Sequence, residues 1–329
     1  MPDAIAAIVR KLVTQHPDAP ARTLARRLVA ESNGALTLEQ ARSRVRMAFG
    51  QCGKRTKQKA VAARPTRQAG VVYEMPRSVA RPWQPWAFPA SGKIGVLSDA
   101  HVPFHDDRAL AAAVRYMKRA GLAGLLINGD WADFFTISRH EKNPRNRDFR
   151  GELKSVRESL QWIRQEFPRI PIAYKLGNHE ERWRSWLWQH AVEISDEPEM
   201  HLSGWLKTDR LGIEIVEDKR IVMLGELPAL HGHELPHGLT SPVNPARGAY
   251  MRLKHSAIIG HHHQTSGHCE PDMLHREVFC WSTGCLCDLT PEYARINRWN
   301  HGFAVVEVHG DGQFDVSNLR VADGVVRSS

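Results

Sequence analysis

Aspartate, histidine and one asparagine recur along this chain in five short sets: Asp99 with His101, Asp130, Asn178 with His179, His231 with His233, and His261 with His263. Imidazole nitrogens, carboxylate oxygens and an amide oxygen together suit borderline divalent ions such as Mn, Fe or Zn rather than Ca or Mg. No thiolate is needed. Asp99 and His101 stand two residues apart, as do His261 and His263, so in extended backbone each pair projects to one side and can clamp one ion. Asp130 stands alone, and a carboxylate with two oxygens can bridge two ions held about 3.5–4 Å apart.

Each set follows an apolar run of strand length. The runs are Lys93 to Leu97, Leu125 to Ile127, Ile172 to Leu176, Leu227 to Leu230 and Ala257 to Ile259. Short apolar runs separated by helix-length polar stretches predict strands of an α/β fold, with amphipathic helices over 108–119 and 151–167 between them. Ligands of such sheets gather beyond the carboxyl ends of the strands, so one pocket can collect all five sets.

In this order the blocks resemble the signature of the calcineurin-like metallophosphoesterase superfamily: D-x-H, G-D-x-x-D, G-N-H-D/E, a further His, and G-H-x-H. The matching residues are Asp99-Ala100-His101, Gly129-Asp130-Trp131-Ala132-Asp133, Gly177-Asn178-His179-Glu180, His231 in His-Gly-His, and Gly260-His261-His262-His263. Five blocks in order are specific where any one alone is weak. The resemblance implies an α/β fold, a β-sandwich flanked by helices, and two divalent metal ions, manganese first, with iron or zinc as alternatives. It implies that Asp99, His101, Asp130 and His263 hold the first ion and Asp130, Asn178, His231 and His261 the second. His179 then protonates the leaving group, and a hydroxide held between the metals attacks phosphorus. Asp133, Glu180 and His233 read as residues that either stand behind the ligands or contact substrate, Asp133 more as an orienting carboxylate or helix N-cap, and His262 as one turned away.

The departures from the family pattern are informative too. Ser98 stands where a glycine usually precedes the first Asp, and Phe134-Phe135 follow Asp133 where the phosphoprotein phosphatases carry Arg-Gly. The paired late histidines resemble the diesterase and nuclease branches instead. The stretch from Trp281 to Leu289, with Trp299 to Val306 after it, resembles members encoded by bacteriophages and prophages.

The 329 residues are 42% hydrophobic and 25% charged, a globular composition. No signal-peptide pattern opens the chain and no run of apolar residues is long enough for a membrane span. The five cysteines are odd in number and lack C-x-x-C spacing, which reads as reduced thiols in a cytoplasmic protein.

Charge is unevenly spread. Residues 1 to 82 carry 16 Lys and Arg against 5 Asp and Glu, a net +11, whereas the remainder carries 29 against 31. A basic appendage on a nearly neutral body is an electrostatic footprint for a polyanion. Residues 1–52 predict three helices, around 4–13, 21–29 and 38–49, the last opened by a Thr37/Gln40 capping box. Arg42, Arg44 and Arg46 on that last helix would contact nucleic acid if the unit is helix-turn-helix-like; the alternative is a small protein-docking bundle. Residues 53–90 read as a basic, flexible linker whose Trp83, Pro85 and Trp86 dock on the following domain, 91–329. The run from Arg182 to Trp188 alternates basic and aromatic residues, a pattern that either packs its tryptophans inward or stacks bases.

The expected function is metal-dependent hydrolysis of a phosphodiester in nucleic acid or a nucleotide. One alternative is a phosphomonoesterase acting on a metabolite or phosphoprotein. Another is a nucleic-acid-binding protein whose metal domain is structural or regulatory.

Overall fold

A computed structural model describes residues 2–52, 74–139, 148–235 and 243–328. They fall into two compact units, Met1–Ala80 and Arg81–Ser329. In the first, helices α1 (Pro2–Gln15), α2 (Ala21–Glu31) and α3 (Leu38–Ala48) surround a core that includes Val9, Leu12, Leu24, Leu28 and Val45. Helix α3 begins where the sequence places its start: Thr37 Oγ1 accepts the Gln40 N–H and Gln40 Oε1 accepts the Thr37 N–H. Arg42 and Arg46, one turn apart, are exposed on the same face, whereas Arg44 is half-buried elsewhere on the helix.

Much of the segment read as a linker, residues 53–73, lies outside the described residues. Its last ten positions do not behave as linker. The second unit starts at Arg81, because Trp86–Ala87 forms a strand and Phe88 is buried. Trp83 Nε1 donates to the Asp218 carbonyl at 3.1 Å and Trp86 Nε1 to Glu214 at 2.9 Å, so these tryptophans anchor the segment as their amphipathic rings suggest.

The second unit is an α/β structure of two sheets flanked by helices. Its strands are β1 (Trp86–Ala87), β2 (Gly92–Leu97), β3 (Gly124–Asn128), β4 (Ile172–Lys175), β5 (Ile213–Val216), β6 (Val222–Leu224), β7 (Leu227–Leu230), β8 (Ala257–Ile259), β9 (Ser266–Pro271), β10 (Glu277–Ser282), β11 (His301–Val308), β12 (Phe314–Ala322) and β13 (Val325–Ser328). One sheet runs β13-β12-β11-β2-β3-β4-β5, with β2 to β5 parallel; the other runs β1-β6-β7-β8-β10-β9. The helices are α4 (Asp107–Ala120), α5 (Phe149–Glu166), α6 (Glu181–His190), the short turns α7 (Leu202–Leu206) and α8 (Thr208–Leu211), and α9 (Pro245–Leu253).

Alternation along the strands builds three apolar layers. Ile94, Val96 and Leu126 face the second sheet and meet Leu224, Leu227 and Ile258. Leu97, Leu125 and Ile127 point the other way, into helices α4 and α5 through Ala113, Val156 and Leu160. Beyond the second sheet, Ile259 and Cys280 pack on Ala246 and Ala249 of α9. Among the described residues no helix is long and apolar enough to cross a membrane. Cys52, Cys269, Cys280, Cys285 and Cys287 are free thiols.

Candidate metal centre

All five donor sets sit at the carboxyl ends of strands: β2, β3 and β4 of one sheet, β7 and β8 of the other. Backbone hydrogen bonds continue past the strand ends and hold the loops together. Asp99 N–H donates to the Gly129 carbonyl, His101 N–H to Asp130 and Gly260 N–H to His231. Asn128 ties the sheets to each other, since its Nδ2 donates to Leu230 of β7 at 2.8 Å and its carbonyl accepts His231 Nδ1 at 2.7 Å.

The extended backbone expected of the Asp99/His101 and His261/His263 pairs is absent. Asp99, His101, Asp130, His261 and His263 all have positive φ, between 50° and 67°, in the left-handed region. For residues other than glycine such a conformation is costly and persists only where surroundings over-determine it. As a result His261 and His263 do not share one ion position. His261 groups with Asp130 and His231, and His263 with His101 and Cys287; within each group the donor atoms lie within 4.8 Å of one another. Close approach also explains the motif glycines. A Cβ on Gly129 would meet the His231 ring, one on Gly177 the Asp130 carboxylate, and one on Gly260 Asp99 Oδ2 at 2.8 Å.

Each aspartate has one oxygen committed and one turned inward. Asp99 Oδ2 accepts the His261 N–H and Asp130 Oδ1 the His179 N–H, both at 2.9 Å. Asp130 Oδ2 then lies 3.2 Å from His231 Nε2, 3.8 Å from His179 Nε2 and 3.9 Å from His101 Nε2. Asp130 therefore offers the centre one carboxylate oxygen rather than two. Asp99 Oδ1 is 3.2 Å from His263 Nε2, and His263 Nε2 is 3.2 Å from His101 Nε2.

These distances test whether the residues fit a cation. His231 donates its Nδ1 proton to Asn128, and Asp133 Oδ1 stands 3.2 Å from His101 Nδ1, which leaves the Nε2 lone pairs of both rings facing the centre. Asp99 Oδ1, Asn178 Oδ1 and His231 Nε2 are buried without a hydrogen-bond partner. Electron pairs brought this close in a buried space require either protons or a cation between them. With protons, the electrostatics are severe. Burial presses His231 down, yet Asp130 and Asp99 override it and push its pKa up to about 10. Burial likewise opposes protonation of His263, but Asp99 raises it to about 9. His261 goes the other way, to about 3, through burial and repulsion by His231. Asp99 and Asp130 are held below the usual carboxylate range despite burial, by the surrounding imidazoles. Oxygen and imidazole donors of this kind fit a divalent cation of the borderline class.

Behind the donors stands a supporting layer. Glu180 is buried and accepts the N–H groups of Asp130, Ala132 and Gly177 and the Tyr174 hydroxyl, with distances of 2.6–2.9 Å. It fixes two donor loops and is not open to substrate. Asp133 lies 2.6 Å from His179 Nδ1 and 3.2 Å from His101 Nδ1. His233 is half-buried, 3.5 Å from Glu181 and 3.6 Å from Glu234. His262 is partly exposed and packs against His261 with ring centroids 5.1 Å apart.

Several further residues support the centre. Arg182 donates to the Asp133 carbonyl, and its Nη2 lies 2.9 Å from His179 Nε2. Buried Lys175 pairs with Glu234 at 2.6 Å, and Glu234 caps the His231 and Gly232 N–H groups; burial alone would raise Glu234, but Lys175 draws its pKa to about 2. Trp299 packs edge-on against His263 with ring centroids 4.2 Å apart, and Cys287 Sγ is 3.9 Å from His263 Nδ1. Only Arg182 had a signal, its place three residues after His179 on a helix; the others depend on pairings across the fold.

No protein-family model matches the chain. The chain is similar to the Gene 54 protein of Mycobacterium phage L5, 26% identical over 235 residues that span 67% of this chain and 90% of that protein. Among solved structures it is similar to Yfce, a phosphoesterase from E. coli, with 16% identity, a TM-score of 0.35, and coverage of 71% of this chain and 96% of that one. It is also similar to the Pseudomonas putida nuclease MPE, with 15% identity, a TM-score of 0.30, and coverage of 69% and 87%.

Proposed function

We propose that the second unit is a metal-dependent phosphoesterase that hydrolyses a phosphodiester in nucleic acid or a nucleotide. The observation that carries this reading is the convergence of Asp99 Oδ1, Asp130 Oδ2 and the Nε2 atoms of His101, His231 and His263 from left-handed or glycine-flanked strand exits, with Asn178 Oδ1 buried and without a hydrogen-bond partner. Asp99, His101 and His263 would hold one divalent ion, Asn178, His231 and His261 a second, with Asp130 Oδ2 shared. When bound, two such ions lower the pKa of water and neutralise charge growing on the phosphoryl oxygens. Manganese is the proposed ion, with iron or zinc as alternatives.

The chain's own residues do the rest. His179 is held at Nδ1 by Asp133, so its Nε2 is the atom that gives a proton to the leaving oxygen. Arg182 donates to that nitrogen in this structure, so the general-acid role requires Arg182 to turn from His179 to a phosphoryl oxygen as substrate enters, which frees Nε2 to carry a proton. The basic first unit, with Arg42 and Arg46 exposed on one helix face, supports a polyanionic substrate.

The test is turnover of bis(p-nitrophenyl) phosphate by the purified chain with added Mn, beside its Asp130→Ala and His262→Ala variants. Asp130→Ala should lose metal-dependent turnover and bound metal, whereas His262→Ala keeps both. Full activity in Asp130→Ala, or none in the parent chain with any of Mn, Fe or Zn, overturns the reading.

A further inference from the structure

Two hollows border the candidate metal centre. The 3₁₀ turn Phe135–Ile137 separates them. On one side is a cleft of about 480 Å³ that shares Asn178 and Arg182 with the centre and is walled by Thr136, Arg139, Ser185 and Gln189. On the other is a slot of about 110 Å³ that shares His101 and Asp133 and is walled by Phe104, Phe135 and Tyr293.

Their chemistry is opposite. The cleft presents two guanidiniums, Arg182 and Arg139, the latter 3.4 Å from Ser185 Oγ. Its one carboxylate among the described residues, Glu181, is engaged by Lys219 at 3.4 Å and His233 at 3.5 Å. The slot pairs aromatic walls, with Phe104 and Phe135 edge to face at 5.7 Å, with the carboxylates of Asp288 and Glu292. Phe104 is 41% exposed, a large apolar ring left open beside a buried polar centre. Phosphate suits the cleft and is repelled from the slot. A flat, apolar-faced ring bearing N–H donors suits the slot. Trp186, which lines the cleft, is already stacked with Trp183 and His190, at interplanar angles of 12° and 16°, so at the two hollows the ring face on offer is that of the slot.

We propose that the two hollows form a track for a single strand of nucleic acid, in which an unpaired base enters the Phe104/Phe135/Tyr293 slot and the phosphate next to the scissile one lies against Arg139. A base held in a duplex cannot enter such a slot, so the track selects single-stranded substrate. The inference rests on the phosphodiesterase reading and deepens it.

The test is direct binding of short thymidylates to the metal-stripped full-length chain, where no turnover competes. A second phosphodiester added to a dithymidylate should tighten binding about fivefold in the parent chain and in Phe104→Ala, and leave Arg139→Ala unmoved. Replacing one terminal thymidine by an abasic sugar should weaken binding about tenfold in the parent and in Arg139→Ala, with no effect in Phe104→Ala. That crossed pattern shows in itself that both variants are folded. Absence of either gain in the parent chain overturns the track, as does loss of both gains in a variant whose circular dichroism matches the parent. A phosphoserine peptide binding as tightly as the thymidylates, and equally sensitive to Arg139→Ala, also overturns it. These outcomes are independent of bis(p-nitrophenyl) phosphate turnover: a chain that hydrolyses the small diester without the crossed pattern keeps its activity reading and loses only the track.

Discussion

At the scale of single residues, the decisive feature is how each donor is stripped of competing partners. Asp130 spends Oδ1 on the His179 N–H, His231 spends Nδ1 on Asn128, and His101 Nδ1 faces Asp133, so that one atom of each is left for the centre. In the proposed mechanism His179 is the proton donor, and one of its ring nitrogens also lies within 4.8 Å of donor atoms of His101 and Asp130. Its imidazole is held at Nδ1, and although burial disfavours its charged form, Asp130 and Asp133 raise its pKa above the ordinary value. A general acid matters most for a poor leaving group, such as a sugar hydroxyl, and contributes about 10²–10⁴-fold there. His179→Ala should therefore slow hydrolysis of a dinucleotide by about that factor and of a p-nitrophenyl diester far less, with metal content unchanged. Single-turnover rates on both substrates decide the matter, because they isolate the chemical step. Equal slowing of both would make His179 a phosphate-positioning group, and loss of metal would make it a ligand.

Strands, helices and turns place those residues, and at this scale much was legible in the sequence. The apolar runs before Asp99, Asp130, Asn178, His231 and His261 are strands β2, β3, β4, β7 and β8, because period and length are properties of the run itself. The Thr37/Gln40 cap was equally readable, since both partners lie within one turn. The left-handed strand exits were not, for they are imposed by loop-to-loop hydrogen bonds such as Asp99 N–H to Gly129 that no local pattern encodes. Nor was the role of Glu152 on α5, because its partners lie on a turn 16 and 17 residues before it. It is buried, it accepts the Phe135 N–H at 2.8 Å and the Thr136 hydroxyl at 3.2 Å, and it fixes the turn between the two hollows. Burial raises its pKa from 4.5 to about 7. An acid whose folded pKa lies above its unfolded value binds more protons when folded, so its contribution is full below about pH 4.5 and is lost as pH rises through about 7. A shift of this size corresponds to ~3 kcal/mol. Glu152→Gln should accordingly flatten the fall in stability between pH 5 and pH 8, as measured by urea unfolding with EDTA present. An unchanged pH dependence would place the burden on another group.

The whole molecule joins a strongly basic unit to a nearly neutral one, and the charge division is a statement about encounter rather than about fold. The first unit has a core of its own, built from α1, α2 and α3, and the second has three apolar layers of its own. Each therefore carries the burial that its stability needs. Removing residues 1–80 should leave hydrolysis of a small diester intact, since every donor named above lies between Asp99 and Cys287. Binding to a polynucleotide should respond differently. Each phosphate neutralised by Lys or Arg releases condensed counterions, and contributes about 0.9 to the slope of log affinity against log salt on duplex DNA and about 0.7 on single strands. If Arg42, Arg46 and their basic neighbours meet phosphates, the truncated chain should bind polynucleotide more weakly at low salt and show a slope smaller by about 2 or more. The measurement is a salt titration of binding by the full-length and truncated chains on the same single-stranded and duplex ligands. A selective loss on duplex DNA would assign the first unit to a groove, in keeping with a helix-turn-helix, while the track beside the metal centre retains the single strand. Identical affinities and slopes for the two chains would instead turn the +11 of residues 1 to 82 toward an acidic protein surface, and the three-helix unit would then be a docking bundle.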